Sequence, residues 1–88
     1  MAYAVAVAES AQRRLDRIPN PIRRNIERRI IALSEQPRPP QAIPLTNDPQ
    51  RRWRLRVGDW RVLYVIDDRE RTVLVTDILP RGEAYRDL

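Results

Sequence analysis

The sequence predicts an α+β domain in which a two-helix hairpin packs on one face of a mainly antiparallel, four-stranded sheet. With 88 residues, the chain has the length of one domain. Apolar residues alternate with other residues near its start and in its last third, as in half-buried strands, and between these parts they recur at helical spacing. The predicted order is therefore βααβββ, and helices gathered on one face of an antiparallel sheet form an α+β architecture.

The first half of the chain contains one predicted strand and two predicted helices. Tyr3 and two valines alternate with alanines over residues 3–8, which predicts a strand. A helix over residues 9–18 ends before a proline, and an Asn-Pro pair, which suits a helix start, opens a second helix over residues 20–36. The predicted inward faces of the helices consist of Ala11, Leu15, Ile18, Ile22, Ile26, Ile30 and Leu33.

A proline-rich segment separates the helices from the remaining strands. Residues 37–49 include five prolines, which predicts a surface loop without regular structure. Residues 53–57 and 60–66 predict two strands joined by Gly58-Asp59, and glycine at the first of two loop positions is typical of a type II′ hairpin turn. A last predicted strand, over residues 72–79, follows a charged turn.

The two-residue loop fixes the register of this hairpin, because side chains alternate between the two faces of a strand. It places Arg56 opposite Arg61, with Arg54 on the same face, next to Leu63 and Val65. Like charges opposite each other destabilise a strand pair, whereas guanidinium groups bind phosphate well and stay charged. The cluster therefore predicts an anion-binding surface. The alternative is an ordinary solvated face, with an aspartate of the neighbouring strand, Asp77, neutralising one of the arginines.

Composition excludes several kinds of function. All 17 basic residues are arginine, the formal net charge is +5, and the chain has neither Cys nor His. These absences exclude a disulfide, a Ser-His-Asp triad and an ordinary transition-metal site, so we expect no metal and no other cofactor. We find no membrane-spanning run and no secretion signal, and expect a cytoplasmic protein. The positive charge favours an anionic partner, either nucleic acid or an acidic protein.

The hairpin and the end of the chain resemble the RelE/ParE superfamily of bacterial and archaeal toxins. Residues 53–64 match its pattern of aromatic-Arg-aliphatic-Arg, a Gly-Asp turn and aromatic-Arg-Val-aliphatic-Tyr. An acidic turn then follows, and residues 81–86 resemble the closing Arg and Tyr motif. Residues 13–19 fit as well, so the resemblance implies a single toxin domain over residues 1–88.

The resemblance implies the toxin of a type II toxin–antitoxin system. For the RelE-like branch this means a ribosome-dependent mRNA endoribonuclease that uses the RNA 2′-hydroxyl as nucleophile without a metal. The implied catalytic residues are Arg54, Arg56, Arg61, Arg81 and Tyr85, and the implied RNA-binding residues are Arg51, Arg52, Arg54 and Arg56. A cognate antitoxin, acidic or amphipathic and folding on binding, is also implied.

Two other functions stay open. A ParE-like toxin shares the fold but inhibits DNA gyrase by binding, without nuclease activity. Charge alone is also compatible with an unspecific nucleic-acid-binding domain, whose affinity would fall steeply with salt. The sequence departs from the RelE-like pattern in having Pro80 where a His is usual, and arginine does not act as a base. The base would then be Tyr85 or Glu83.

Overall fold

In the computed structural model, which describes residues 2–82, five strands form one mixed sheet. In chain order the elements are β1 (Ala4–Val7), α1 (Glu9–Asp16), α2 (Asn20–Ala32), β2 (Ala42–Pro44), β3 (Trp53–Val57), β4 (Trp60–Asp67) and β5 (Thr72–Pro80). The spatial order of the strands is β1-β5-β4-β3-β2, so β4 is central. β1 pairs with β5 in parallel and every other pair is antiparallel, which confirms the predicted α+β class.

The hairpin of β3 and β4 has the register that the sequence predicts. The three expected pairs are all present: Val57 with Trp60, Arg56 with Arg61, and Leu55 with Val62. Gly58 has a φ of +58°, whereas Asp59 is not among the residues with positive φ. This is the sign pattern of a type II′ turn.

The hydrophobic core lies between the helices and the inner face of the sheet. α1 lies against β5, and α2 lies against β3. The buried residues of the core are Ala11, Leu15, Ile18, Ile26, Ile30, Leu33, Ala42, Leu55, Val57, Val62, Tyr64, Val73, Val75 and Ile78. Ile22 was expected among them but is 46% exposed. It lies in the first turn of α2, where it lines a solvent-accessible groove with Val57 and Trp60 at the hairpin-turn end of the sheet.

The proline-rich segment contains a fifth strand, so the predictions of a four-stranded sheet and an irregular segment are wrong on this point. β2 is three residues long and pairs with β3, with Pro44 opposite Trp53. Proline donates no backbone hydrogen bond, which an edge strand such as β2 tolerates. The strand therefore depends on its partner β3 and not on its own sequence preference.

Both helices are shorter than predicted. After α2, the N–H groups of Leu33, Ser34 and Glu35 donate to carbonyls three residues back, which is the tighter 3₁₀ pattern. Ser34 also accepts a hydrogen bond from the Tyr3 N–H at 2.8 Å and donates its hydroxyl to the Tyr3 carbonyl at 2.7 Å. These bonds tie the end of α2 to the start of β1. Within residues 2–82, neither helix is long and apolar enough to cross a membrane.

Candidate functional site

Two cross-strand rows bring arginines of the hairpin together on the sheet face opposite the helices. One row runs through Arg56, Arg61 and Leu79 on β3, β4 and β5. The next row runs through Arg54, Leu63 and Asp77 on the same strands. Directly paired residues lie on the same face, and neighbouring strands are about 4.8 Å apart. We call this surface, carrying Arg54, Arg56 and Arg61, the arginine face.

Arg81 reaches the same end of the sheet from the end of β5. Pro80 pairs with Trp60, and the Arg81 N–H donates to the carbonyl of Asp59 at 2.9 Å. The backbone of Arg81 therefore lies beside the hairpin turn. Arg81 is two residues beyond Leu79, which lies in the same row as Arg56. Tyr85 and Glu83, the other candidates from the closing motif, lie outside the described residues.

The arginines at this end of the sheet differ in exposure. Arg56 and Arg81 are exposed and Arg54 is partly buried, whereas Arg61 is only 1% exposed. Arg61 lies on the central strand, and its Nη1 donates to the carbonyl of Trp60 at 3.3 Å. A buried charge requires such polar contacts to offset its lost hydration. The interpretation of the whole face as an ordinary solvated surface therefore does not hold for Arg61.

Arg52, which directly precedes β3, is bound by two carboxylates. Its Nη2 donates to Asp48 Oδ1 at 2.8 Å and its Nη1 donates to Asp77 Oδ2 at 2.9 Å. Its backbone N–H also donates to Asp48, at 2.9 Å. Hydrogen bonds from the side chain and then the backbone of Arg52 lower the pKa of Asp48 to about 2, and bonding to Asp48 raises the pKa of Arg52. Asp77 thus pairs with the arginine that precedes the hairpin.

Sequence reasoning did not identify Asp48, although a local signal was present. Asp48 is followed by Pro49, and the Arg51 N–H donates to the Asp48 carbonyl at 2.9 Å, which closes a β-turn. Aspartate and proline are favoured at the first two positions of such turns. Arg51, at the end of this turn, is exposed and has a φ of +56°. The turn brings the Asp48 carboxylate to the backbone of Arg52.

The described arrangement has the chemistry of an anion-binding site. Arg56 and Arg81 offer exposed guanidinium donors beside the buried charge of Arg61. Arginine stays protonated, so these groups stabilise negative charge but do not accept a proton. Among residues 2–82, no three acidic side chains are grouped so that they could hold a metal ion.

Comparison with known families gives one match that spans most of the chain. The family model described as the ParE toxin of type II toxin-antitoxin system, parDE, matches residues 5–85. A comparison with curated proteins gives no match. The matched range includes all the elements described above except the first residue of β1.

Solved structures of RelE toxins are similar over nearly the whole chain. The archaeal RelE–RelB complex from Pyrococcus horikoshii OT3 has a TM-score of 0.82 and 24% identity, covering 93% of this chain and 98% of that one. The toxin–antitoxin complex RelBE2 from Mycobacterium tuberculosis has a TM-score of 0.81 and 28% identity, covering 92% and 100%. The isolated E. coli RelE toxin has a TM-score of 0.72 and 22% identity, covering 98% and 94%.

Proposed function

The chain belongs to the ParE toxin family of type II toxin–antitoxin systems, and we propose that it acts as a toxin by cleaving mRNA on the ribosome, as a RelE-like endoribonuclease. The role of toxin follows from the family. The proposal of RNA cleavage is supported by one observation above all, which is that Arg56 and Arg61 pair across the hairpin while the backbone of Arg81 lies beside the turn of the same hairpin. The similarity to RelE structures supports the same branch.

The proposed reaction uses the nucleophile that RNA itself carries, the 2′-hydroxyl. The 2′-oxygen loses its proton to a base and attacks the adjacent phosphorus while the bond to the 5′-oxygen breaks. The departing 5′-oxygen takes up a proton from water, which leaves a 2′,3′-cyclic phosphate and a 5′-hydroxyl. The protein then has to position the backbone and stabilise the charge that develops on phosphorus. In our proposal the exposed Arg56 and Arg81 bind the scissile phosphate. The buried Arg61 adds a positive charge where a low dielectric strengthens its attraction.

The remaining groups of the proposed site bind flanking nucleotides and move protons. Arg54 lies one row from Arg56, and in our proposal it binds a neighbouring phosphate, as does the exposed Arg51. A base has to remove the 2′-hydroxyl proton, and arginine is excluded from that role. We assign it to Tyr85, with Glu83 as the other candidate. The proposed reaction requires no metal.

The proposal includes a cognate antitoxin. The similar toxins from P. horikoshii and M. tuberculosis were solved in complex with antitoxins. The net charge of +5 and the exposed arginines favour an acidic or amphipathic segment that folds on binding. Such a segment, lying across the arginine face, would prevent RNA from binding there and would thereby inhibit the toxin.

A ParE-like inhibitor of DNA gyrase is the second candidate function. Two observations favour it: the matching family model is that of ParE toxins, and Pro80 precedes Arg81 where the RelE-like pattern has a His. With proline at this position, the site lacks the proton carrier that a histidine would provide. A toxin of this kind would act by binding and leave mRNA intact.

The double variant Arg56→Gln/Arg81→Gln tests the proposed nuclease. We expect cleavage of mRNA on purified ribosomes, mapped by primer extension, to fall at least about 100-fold, because two donors to the phosphate are lost. The matched control is Arg28→Gln/Arg69→Gln, which removes the same charge at exposed positions on α2 and in the turn between β4 and β5. This control should cleave like the wild type.

Three results would count against the nuclease. Equal cleavage by the two double variants would exclude Arg56 and Arg81 from the reaction. A cleavage rate that depended on added transition-metal ions, at a constant Mg²⁺ concentration that keeps the ribosome intact, would contradict the proposed chemistry. Inhibition of gyrase supercoiling by the wild type, without RNA cleavage, would favour the ParE-like candidate.

A further inference from the structure

We propose that Arg52 is a positioning residue of the arginine face, which holds Asp77 in an ion pair so that a bound phosphate does not meet an unpaired carboxylate. This inference rests on the proposed function, because it concerns how the same surface binds RNA. It gives Arg52 a different role from the direct RNA contact that the family resemblance implies.

The position of Asp77 makes its charge important for the site. Asp77 lies in the same cross-strand row as Arg54, two strands away. At the usual spacing of strands this is about 10 Å, so a phosphate bound between Arg54 and Asp77 would lie within the screening length of about 8 Å at physiological salt. The side chain of Asp77 is 37% exposed, so its carboxylate faces the solvent from which RNA would approach. Without a partner, it would repel the RNA backbone.

The contacts of Arg52 favour this indirect role over a direct phosphate contact. Its Nε and Nη2 donate to Asp48 at 3.1 and 2.8 Å, and its Nη1 donates to Asp77 at 2.9 Å. All three guanidinium nitrogens are therefore engaged with carboxylates, and only 16% of the side chain is exposed. The Leu45 N–H donates to the Arg52 carbonyl at 2.9 Å, which fixes the backbone as well. A phosphate would have to displace a carboxylate to bind Arg52.

A double-mutant cycle on the full chain tests the proposal. The probe is a single-stranded RNA that is 2′-O-methylated throughout, so that it binds without being cleaved, and affinity is measured by fluorescence anisotropy. We expect Arg52→Gln to weaken binding about tenfold, and Asp77→Asn to restore part of that loss in the Arg52→Gln background, because the substitution of Arg52 also removes the partner of Asp48. In the wild type, where Asp77 is already paired, Asp77→Asn should change the affinity less than about twofold. Glu35→Gln removes one negative charge at an exposed position after α2 and should have little effect.

The sign of the coupling separates the two roles of Arg52. If Arg52 bound phosphate directly, Asp77→Asn would release it for RNA and tighten binding most in the wild type, with little gain in the Arg52→Gln background. Direct contact also predicts that Arg52→Gln/Asp77→Asn has a salt slope smaller by about 0.7 than that of the wild type. Either result, or simple additivity, would overturn the proposal. If Arg52 acted only through stability, the affinities of the variants measured well below their melting temperatures would equal that of the wild type, and only thermal unfolding would distinguish them. That result would also overturn the proposal.

The variant Arg56→Gln/Arg81→Gln, in the same binding assay, separates failure of this inference from failure of the proposed function. If this variant loses RNA binding while the cycle shows no coupling, only the role of Arg52 is overturned. If it binds RNA as tightly as the wild type, the proposed site fails and the role of Arg52 fails with it.

Discussion

Gly58 is the residue on which the arrangement of the arginine face most directly depends. Its φ of +58° is in the left-handed region, which costs other L-residues about 1–2 kcal/mol. A Cβ atom added there would meet nothing within 4 Å, so the strain comes from the backbone alone. If the turn changed by one residue, the strand register would slip and the arginines would move to the opposite face.

We therefore expect Gly58→Ala to lower the free energy of unfolding by about 1 kcal/mol, as measured by urea denaturation. Gly82→Ala is the matched control, because Gly82 does not have a positive φ and its added Cβ also meets nothing within 4 Å. It should leave stability unchanged or raise it slightly, since alanine restricts the unfolded chain. Equal effects of the two substitutions would show that the left-handed turn is not required.

The face on which Arg61 lies could be predicted from the sequence, but its burial could not. Alternation along a strand and a two-residue turn determine the face, and both are local properties. Burial depends on what covers that face of β4 in the folded chain, which alternation along one strand does not determine. The sequence indicated that Asp77 neutralises an arginine of this face, but its partner, Arg52, could not be identified because the register of β5 shifts by a residue beside Leu63.

At the scale of elements, the proline-rich segment is held in place by side chains from other parts of the chain. The Tyr64 hydroxyl, on β4, donates to the Pro37 carbonyl at 2.7 Å. Arg38 donates twice to Asp68, at 3.2 and 2.8 Å, and its guanidinium lies 5.4 Å from the centre of the Trp53 ring. Tyr64 and Asp68 lie 27 and 30 residues from their partners in the segment. This explains why proline content indicated a loop while the folded chain forms β2 there.

We expect Tyr64→Phe to lower the free energy of unfolding at neutral pH by about 1 kcal/mol, because the Pro37 carbonyl loses its donor. Burial raises the pKa of Tyr64 to about 12, above the value of about 10 in the unfolded chain. Its stabilising contribution is therefore complete below about pH 10 and is lost as the pH rises through about 12. Urea denaturation of both proteins across this range measures the difference. A difference that did not change with pH would contradict the burial of this hydroxyl.

At the scale of the whole molecule, stability depends on a single thin core between two helices and one sheet. A domain of this size buries only about 60–65% of its unfolded surface. Ile26 of α2 is fully buried in that core, whereas Ile31, on the same helix, is 68% exposed. The two isoleucines therefore offer a matched comparison between a packed and a solvent-facing side chain.

We expect Ile26→Ala to lower the free energy of unfolding by about 3 kcal/mol, and Ile31→Ala to change it by less than about 0.5 kcal/mol, because alanine has the better helix propensity. Urea denaturation measures both, and equal losses would contradict the packing of α2 on the sheet. A loss of about 3 kcal/mol also lowers the amount of folded protein in cells. Ile26→Ala should thus reduce toxicity without touching the arginine face. An arginine is assigned to the toxin's mechanism only when its substitution abolishes toxicity and leaves the free energy of unfolding unchanged.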